Sequence, residues 1–202
     1  MTHKLIKVEQ VREAQDKLRE WCKERHLTLE TNRAGLVGNL LEELTEYERA
    51  KDVYDEVDAL MDISVFSINA MERDFDNIDG FLTSEFNIGY NSIDYLIQRV
   101  AGIARLIHGG TRMVSKQDNE ILDNRLHKAL TELTSLCFYY VETLGYNPIA
   151  ALNETIKEIS SRTGHFDPQI SKFIKDTSPE AQARWYKADY EKARYWGLYK
   201  ID

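Results

Sequence analysis

Acidic side chains crowd one stretch of the sequence, between positions 42 and 62. They form two clusters: Glu42, Glu43 and Glu46, followed by Asp55, Asp58 and Asp62. Residues three or four apart share one face of an α-helix, so each cluster should present its carboxylates together. Mg²⁺ and Mn²⁺ prefer oxygen ligands, and neither cluster contains the His or Cys side chains that zinc favours. The spacing therefore predicts a site for a hard divalent cation, Mg²⁺ or alternatively Mn²⁺.

Few basic residues balance these acids, since only Arg49 and Lys51 lie between positions 42 and 62. Apolar residues at helical spacing, such as Leu44 and Val57, indicate that the same helices pack inward. A carboxylate near a packed face costs several kcal/mol unless a counter-charge or a cation compensates it. The alternative is a solvated acidic face, which is typical of charge runs and suits Glu48.

The elements that must position these acids are helices. The three prolines are at 148, 168 and 179, and no stretch shows the period-two alternation of a strand. The sequence predicts helices over about 8–25, from about 34, from 53 to about 72, over 93–108, 116–144 and 148–161, and from 179 onward through Trp185, Tyr186, Tyr190 and Tyr195. The second and third predicted helices are joined by a short turn, so they should form an antiparallel pair with both acidic clusters on one groove.

Composition narrows the range of functions. The chain has 202 residues and a net charge of -8, without the basic stripe that a nucleic-acid partner requires. Cys22 and Cys137 are far apart in amphipathic surroundings and are interpreted as buried free thiols. No signal peptide or membrane-spanning stretch is evident, so we expect a cytoplasmic protein with neither a nucleic-acid nor a membrane partner.

The two clusters also carry a family resemblance. Glu42-Glu43-Leu44-Thr45-Glu46 and Asp55-Glu56-Val57-Asp58 resemble the E-E-x-x-E and E-x-x-D motif pair of the all-α nucleoside triphosphate pyrophosphohydrolases, which include MazG-like proteins and dimeric dUTPases. The similarity extends from the first helix to Ala70 and resumes over 144–164, and the segment 172–190 is similar to phage-type members. Asp55 departs from the motif because the family usually has Glu there, so Asp62 is an alternative ligand.

The resemblance implies a single domain over 1–202 with a MazG-like helical bundle. Relative to the family, about 71–132 would be a helical insertion and about 165–202 a C-terminal helical tail. Helical members commonly form dimers or tetramers, so we expect a homo-oligomer. The apolar side chains that could line its interface, unless they belong to the core, are Phe81, Phe86, Tyr90 and Tyr95.

The implied activity is Mg²⁺-dependent hydrolysis of a nucleoside triphosphate between the α and β phosphates, giving the monophosphate and pyrophosphate. The implied metal ligands are Glu43, Glu46, Asp55, Asp58 and Asp62, and the implied catalytic residues are Glu42, Glu43 and Glu46, with Glu42 accepting a proton. Substrate-binding candidates are Asn153, Lys157 and Arg162, which match late polar positions of the family, and Trp21, which could stack on a base. A surface lysine and a core tryptophan are the alternatives for Lys157 and Trp21.

Other classes are less consistent with the sequence. A ferritin-like di-iron bundle needs Glu-x-x-His pairs, and a His-Asp phosphohydrolase needs His followed by Asp; the chain has neither pattern. A helical module that binds a nucleotide or a protein without turnover remains as the alternative. The sequence does not distinguish a dUTP-selective enzyme from a broader dNTP-selective one.

Overall fold

Helices build most of the protein. The computed structural model describes residues 6–76, 92–110, 116–170 and 172–195. The six long helices are α1 (Val8–Glu24), α2 (Leu29–Glu48), α3 (Val53–Asn69), α4 (Ser92–Gly110), α5 (Lys116–Thr143) and α6 (Pro148–Ser161). They confirm the predicted all-α class. Within the described ranges, no helix combines the length and the apolar character needed to cross a membrane.

The α2–α3 hairpin is the part of the fold that carries both acidic clusters. Four residues, 49–52, join the two helices, which pack along each other. The Asp52 carboxylate caps α3 by accepting hydrogen bonds from the backbone N–H of Tyr54 at 2.9 Å and of Asp55 at 3.0 Å. This cap fixes where α3 begins.

One apolar core holds the hairpin in place. Side chains from six helices are fully buried in it, among them Leu18, Leu40, Leu60, Leu96, Phe138 and Leu152. The helices α1, α5 and α6 each pack against α3, so α3 is the central element. Both thiols are free and buried, as predicted.

The helices α4 and α5 cover much of the predicted insertion. They pack against each other, α4 also packs on α2, and α5 packs on α3. Tyr95 packs against the common core. Phe81, Phe86 and Tyr90, the other residues proposed for an oligomer interface, lie outside the described residues. The status of 71–132 as an insertion stays a prediction.

The start of α2 differs from the prediction, which placed it near Ala34. The helix begins at Leu29 because Thr28 and Thr31 form a reciprocal cap. The Thr28 hydroxyl accepts from the Thr31 N–H at 3.2 Å, and the Thr31 hydroxyl accepts from the Thr28 N–H at 2.9 Å. The polar residues before Ala34 therefore form the first turn of the helix.

The prediction of a long C-terminal helix was wrong. The strands β1 (Gly164–Asp167) and β2 (Lys172–Lys175) pair antiparallel, and the helix α7 (Pro179–Gln182) has only four residues. Its start was predicted correctly, since Ser178 caps it and Pro179 opens it. Gly164 is required where the two strands meet, because a Cβ there would lie 2.2 Å from the Ile174 carbonyl oxygen.

The segment 185–195, called here the C-terminal segment, is extended and ends in a 3-10 turn, Tyr190–Ala193. It is not helical because its backbone N–H groups bond to side chains of α6. The Tyr186 N–H donates to Ser161 Oγ at 2.8 Å and the Ala188 N–H donates to Glu158 Oε2 at 2.7 Å. These donors replace the helical ladder, and they lay the segment along α6.

Candidate functional site

The candidate site is the acidic groove of the α2–α3 hairpin, with α6 and the C-terminal segment beside it. Glu43 lies on the inner face of α2 and is only 7% exposed, whereas Asp58 and Asp62 are partly buried on α3. Asp58 and Asp62 are four residues apart, so they occupy adjacent turns of one face. The structure thus brings together acids from both predicted clusters.

Glu43 is the acid whose environment least suits a negative charge. Burial is the largest cause that raises its pKa, and nearby acids raise it further, from 4.5 to about 8. Those acids are Asp62, Glu46, Asp58 and Glu42, in decreasing order of effect. Its Oε2 atom is buried without a hydrogen-bond partner. A side chain in this state is suited to accept either a proton or a cation.

Asp62 and Asp58 share this environment. Burial raises the pKa of Asp62 from 3.8 to about 7, with a further increase from the charge of Asp58 and an opposing effect of Arg162. Burial also raises the pKa of Asp58, although a hydrogen bond from Tyr190 opposes the shift. Charges on Glu158 and Glu46 act on both aspartates.

The remaining predicted acids occupy two different positions. Glu42 and Glu46 are exposed at the rim of the groove, where both affect the pKa of Glu43. Asp55 is exposed in the first turn of α3, and its carboxylate accepts the backbone N–H of Lys51 at 3.1 Å. Asp55 is therefore engaged in the turn between the helices, while Asp62, the alternative ligand, lies with the other buried acids.

Two residues that the sequence reasoning missed belong to this site. Glu158 on α6 acts on both aspartates and pairs with Arg162 at 2.6 Å. Tyr190 in the C-terminal segment donates a hydrogen bond to Asp58. The i, i+4 spacing of Glu158 and Arg162 is a sequence signal for a helical ion pair. Tyr190 gives no such signal, because 132 positions separate it from Asp58.

Of the predicted substrate-binding residues, Arg162 lies nearest the acids. Its positive charge lowers the pKa of both Asp58 and Asp62, and its Nε is buried without a hydrogen-bond partner. Its guanidinium group also lies over the Trp185 ring, 6.0 Å from the centroid. Arg162 is thus placed where a fixed positive charge could meet an anion bound in the groove.

Asn153 and Lys157 have other partners on α6. The Asn153 carboxamide accepts from Lys17 Nζ at 2.7 Å and donates to the Ile149 carbonyl at 2.8 Å. Lys157 pairs with Glu154. A role for either residue toward phosphate stays a prediction, and it would require them to exchange these contacts.

Trp21 lies between α1 and α6, where it packs against the core. Its indole N–H donates to the Ile159 carbonyl at 3.1 Å, and the guanidinium carbon of Arg25 lies 4.8 Å from its ring centroid. These contacts correspond to the alternative considered for Trp21, a tryptophan of the helix interface. Base stacking on this ring stays a prediction.

The acids fit a hard cation in their chemistry. They offer carboxylate oxygens alone, and the buried Glu43 Oε2 atom lacks the hydrogen bond that would otherwise satisfy it. As the side chains stand, however, no three His, Cys, Asp or Glu residues in the described ranges are grouped closely enough to hold a metal ion. Coordination would require some of these carboxylates to turn toward a shared ion.

A separate cavity of about 600 Å³ lies toward the opposite end of α2 and α3. Its lining includes Arg19, Cys22, His26 and Asn32, together with Met71. None of the six acids of the two clusters lines it. Eleven residues separate Asn32 from Glu43, which corresponds to about 16 Å along a helix. The cavity has the size of a small-molecule pocket.

Compared with models of protein families, with curated proteins and with solved structures, the chain gives no match.

Proposed function

We propose that the protein is a Mg²⁺-dependent nucleoside triphosphate pyrophosphohydrolase. The observation that carries the proposal is the grouping of Glu43, Asp58 and Asp62, whose pKa values are all raised by burial and by the charges of neighbouring acids. Carboxylates whose pKa values are shifted by burial and by specific charged neighbours are candidates for a functional site. The family resemblance of the two motifs supplies the reaction class.

In this proposal Glu43, Glu46, Asp58 and Asp62 hold the cation, while Asp55 remains in its turn. When bound, Mg²⁺ would neutralise phosphate charge and lower the pKa of a bound water. Glu42, exposed at the rim, would accept the proton of the attacking water. Attack at the α phosphate would yield the nucleoside monophosphate and pyrophosphate.

Arg162 would contribute positive charge to the same groove. Its present partner is Glu158, which also accepts a hydrogen bond from the Ala188 N–H of the C-terminal segment. A triphosphate could compete for the guanidinium group, because phosphate oxygens and carboxylates bind arginine in similar geometry. The expected partners are therefore a nucleoside triphosphate and, from the resemblance, further copies of this chain.

The test is an assay of the purified full chain with each common NTP and dNTP, in Mg²⁺ or in EDTA. Products are separated by anion exchange. We expect monophosphate and pyrophosphate in Mg²⁺ only. Glu43→Gln should reduce turnover by about 100-fold or more, since it removes a charged ligand that acts in the reaction.

Glu48→Gln is the matched control, because Glu48 is an exposed acid on the same helix outside both clusters. It should retain the wild-type rate. Equal loss in the two variants would contradict the assignment of the site. Absence of turnover with every nucleotide, in both Mg²⁺ and Mn²⁺, would contradict the proposed activity.

The second candidate is a binding module without turnover, and the separate cavity favours it. This cavity could hold a small molecule independently of the acids, because none of them lines it. Equilibrium dialysis with nucleotides in EDTA distinguishes the two functions. Binding that persists in EDTA and in Glu43→Gln, with no hydrolysis in Mg²⁺, would favour the module.

A further inference from the structure

Tyr190 is in direct contact with the acidic groove although it lies far along the chain. Its hydroxyl donates a hydrogen bond to Asp58 Oδ1, and the side chain is only 5% exposed. The Thr155 hydroxyl lies 2.9 Å from the Tyr190 oxygen. An ionised carboxylate can only accept, so the phenol proton is directed to Asp58 and the phenol oxygen can accept from Thr155.

The C-terminal segment holds Tyr190 there from both sides. Before it, the N–H groups of Ala188 and Asp189 donate to Glu158 and Glu154, at 2.7 and 3.3 Å. After it, the Ala193 carbonyl accepts from the Asn147 N–H at 2.7 Å. The phenol is thus fixed by its own backbone, and not by Asp58 alone.

We propose that Tyr190 is a positioning residue for Asp58, and that Thr155 supports it. By engaging Oδ1 from one side, Tyr190 limits rotation of the Asp58 carboxylate and leaves its other oxygen available to the cation. Carboxylates that bind metal are commonly held by such hydrogen bonds, and loss of the partner typically weakens metal binding about 10- to 100-fold. This inference rests on the proposed function.

A purely structural role would give a different result. In that case Tyr190 would only attach the C-terminal segment to the helices. Tyr54 makes a comparable attachment, because its hydroxyl donates to Glu191 at 2.6 Å and ties the same segment to α3. Its hydroxyl is not bonded to Asp58, so Tyr54→Phe removes a phenol–carboxylate bond of the same kind and serves as the control.

The experiment compares Tyr190→Phe, Tyr54→Phe and wild-type protein, each as the full chain. Mn²⁺ affinity is measured by electron paramagnetic resonance of the free ion, and thermal unfolding is followed in EDTA. We expect Tyr190→Phe to bind Mn²⁺ at least about tenfold more weakly, and Tyr54→Phe to stay within about twofold of wild type. Where turnover is measured, kcat should fall more than KM rises.

Two results would be decisive against the inference. Mn²⁺ affinity of a folded Tyr190→Phe within about twofold of wild type would show that Tyr190 only anchors the segment. Equal weakening in both tyrosine variants would show the same. If the wild-type protein fails to bind Mn²⁺, the proposed function itself is overturned. If the wild-type protein binds Mn²⁺ and Tyr190→Phe binds it equally well, only the inference about Tyr190 is overturned.

Thr155→Val provides an independent variant in case Tyr190→Phe does not fold. It removes the hydroxyl next to the Tyr190 oxygen and keeps the tyrosine in place. We expect Mn²⁺ binding several times weaker than in wild type. Unchanged Mn²⁺ affinity in a folded Thr155→Val would contradict the role assigned to Thr155. If Tyr190→Phe does not fold, the same result would overturn the whole inference.

Discussion

The charge of Asp62 raises the pKa of Glu43 more than the charge of any other side chain around it. One residue lies on α2 and the other on α3, so the packing of the two helices creates the effect. The relationship links folding to proton uptake, because both carboxyl groups titrate at higher pH in the folded chain than in the unfolded one.

Stability without metal should therefore fall as pH rises. The folded protein keeps protons on Glu43 and Asp62 up to about pH 8 and about pH 7, whereas the unfolded chain loses them near 4.5 and 3.8. The stability that these groups contribute is fully present below the unfolded values. Between the unfolded and the folded pKa of each group, this stability falls by up to about 1.4 kcal/mol per pH unit.

Urea unfolding in EDTA at several pH values measures this dependence. Glu43→Gln removes one of the two titrating groups, so its free energy of unfolding should decline less steeply than that of wild type. Glu48→Gln should keep the wild-type slope. Parallel curves for wild type and Glu43→Gln would contradict the raised pKa of Glu43.

Mn²⁺ affinity should increase with pH, whereas the stability of the metal-free protein should decrease. A cation must displace any proton held by Glu43 or Asp62, so binding should tighten as pH rises through about 7 to about 8. We expect up to about tenfold tighter binding per pH unit for each proton released. Isothermal titration in two buffers of different ionisation enthalpy counts those protons. Affinity independent of pH, with no proton release, would refute this prediction.

Any side chain at Gly145, which follows the end of α5, should reduce the stability of the protein. Its φ of 91° is in the region that favours glycine, and the space around it is open, so the penalty would come from the backbone alone. Gly145→Ala should destabilise the protein by about 1–2 kcal/mol. Gly38→Ala is the control, because this exposed position inside α2 also has open space but a helical backbone, and it should be neutral or stabilising.

Trp21 gives a prediction that separates packing from substrate binding. Trp21→Phe removes the hydrogen bond to the Ile159 carbonyl, and it should reduce stability by about 1 kcal/mol. Thermal unfolding measures this loss. If the ring belongs to the helix interface, KM for the nucleotide should change by less than about twofold. A large increase in KM with unchanged stability would instead support base stacking.

Local patterns predicted much of this fold. The start of α3 follows from Asp52, the end of α5 from Gly145, and the start of α6 from Asn147 and Pro148, all of which are signals within a few residues of the boundary. The same holds for Ser178 at α7. The pairing of the two acidic clusters followed from the short turn between their helices.

The parts that escaped prediction depend on distant partners. The aromatic residues between positions 186 and 195 have helical spacing. However, α6 side chains accept hydrogen bonds from the backbone N–H groups of Tyr186 and Ala188. The hairpin at Gly164 depends on a close approach to Ile174, which periodicity does not reveal. The contact of Tyr190 with Asp58 also escaped prediction, because 132 positions separate the two residues in the sequence.

This arrangement has a consequence for the chain while it is being synthesised. The acids of α2 and α3 are synthesised first, whereas Glu158, Arg162 and Tyr190 follow about a hundred residues or more later. A nascent chain would thus carry closely spaced acids before their partners exist. Cations present during synthesis could relieve that repulsion. The groove would be complete only after Tyr190 has been synthesised.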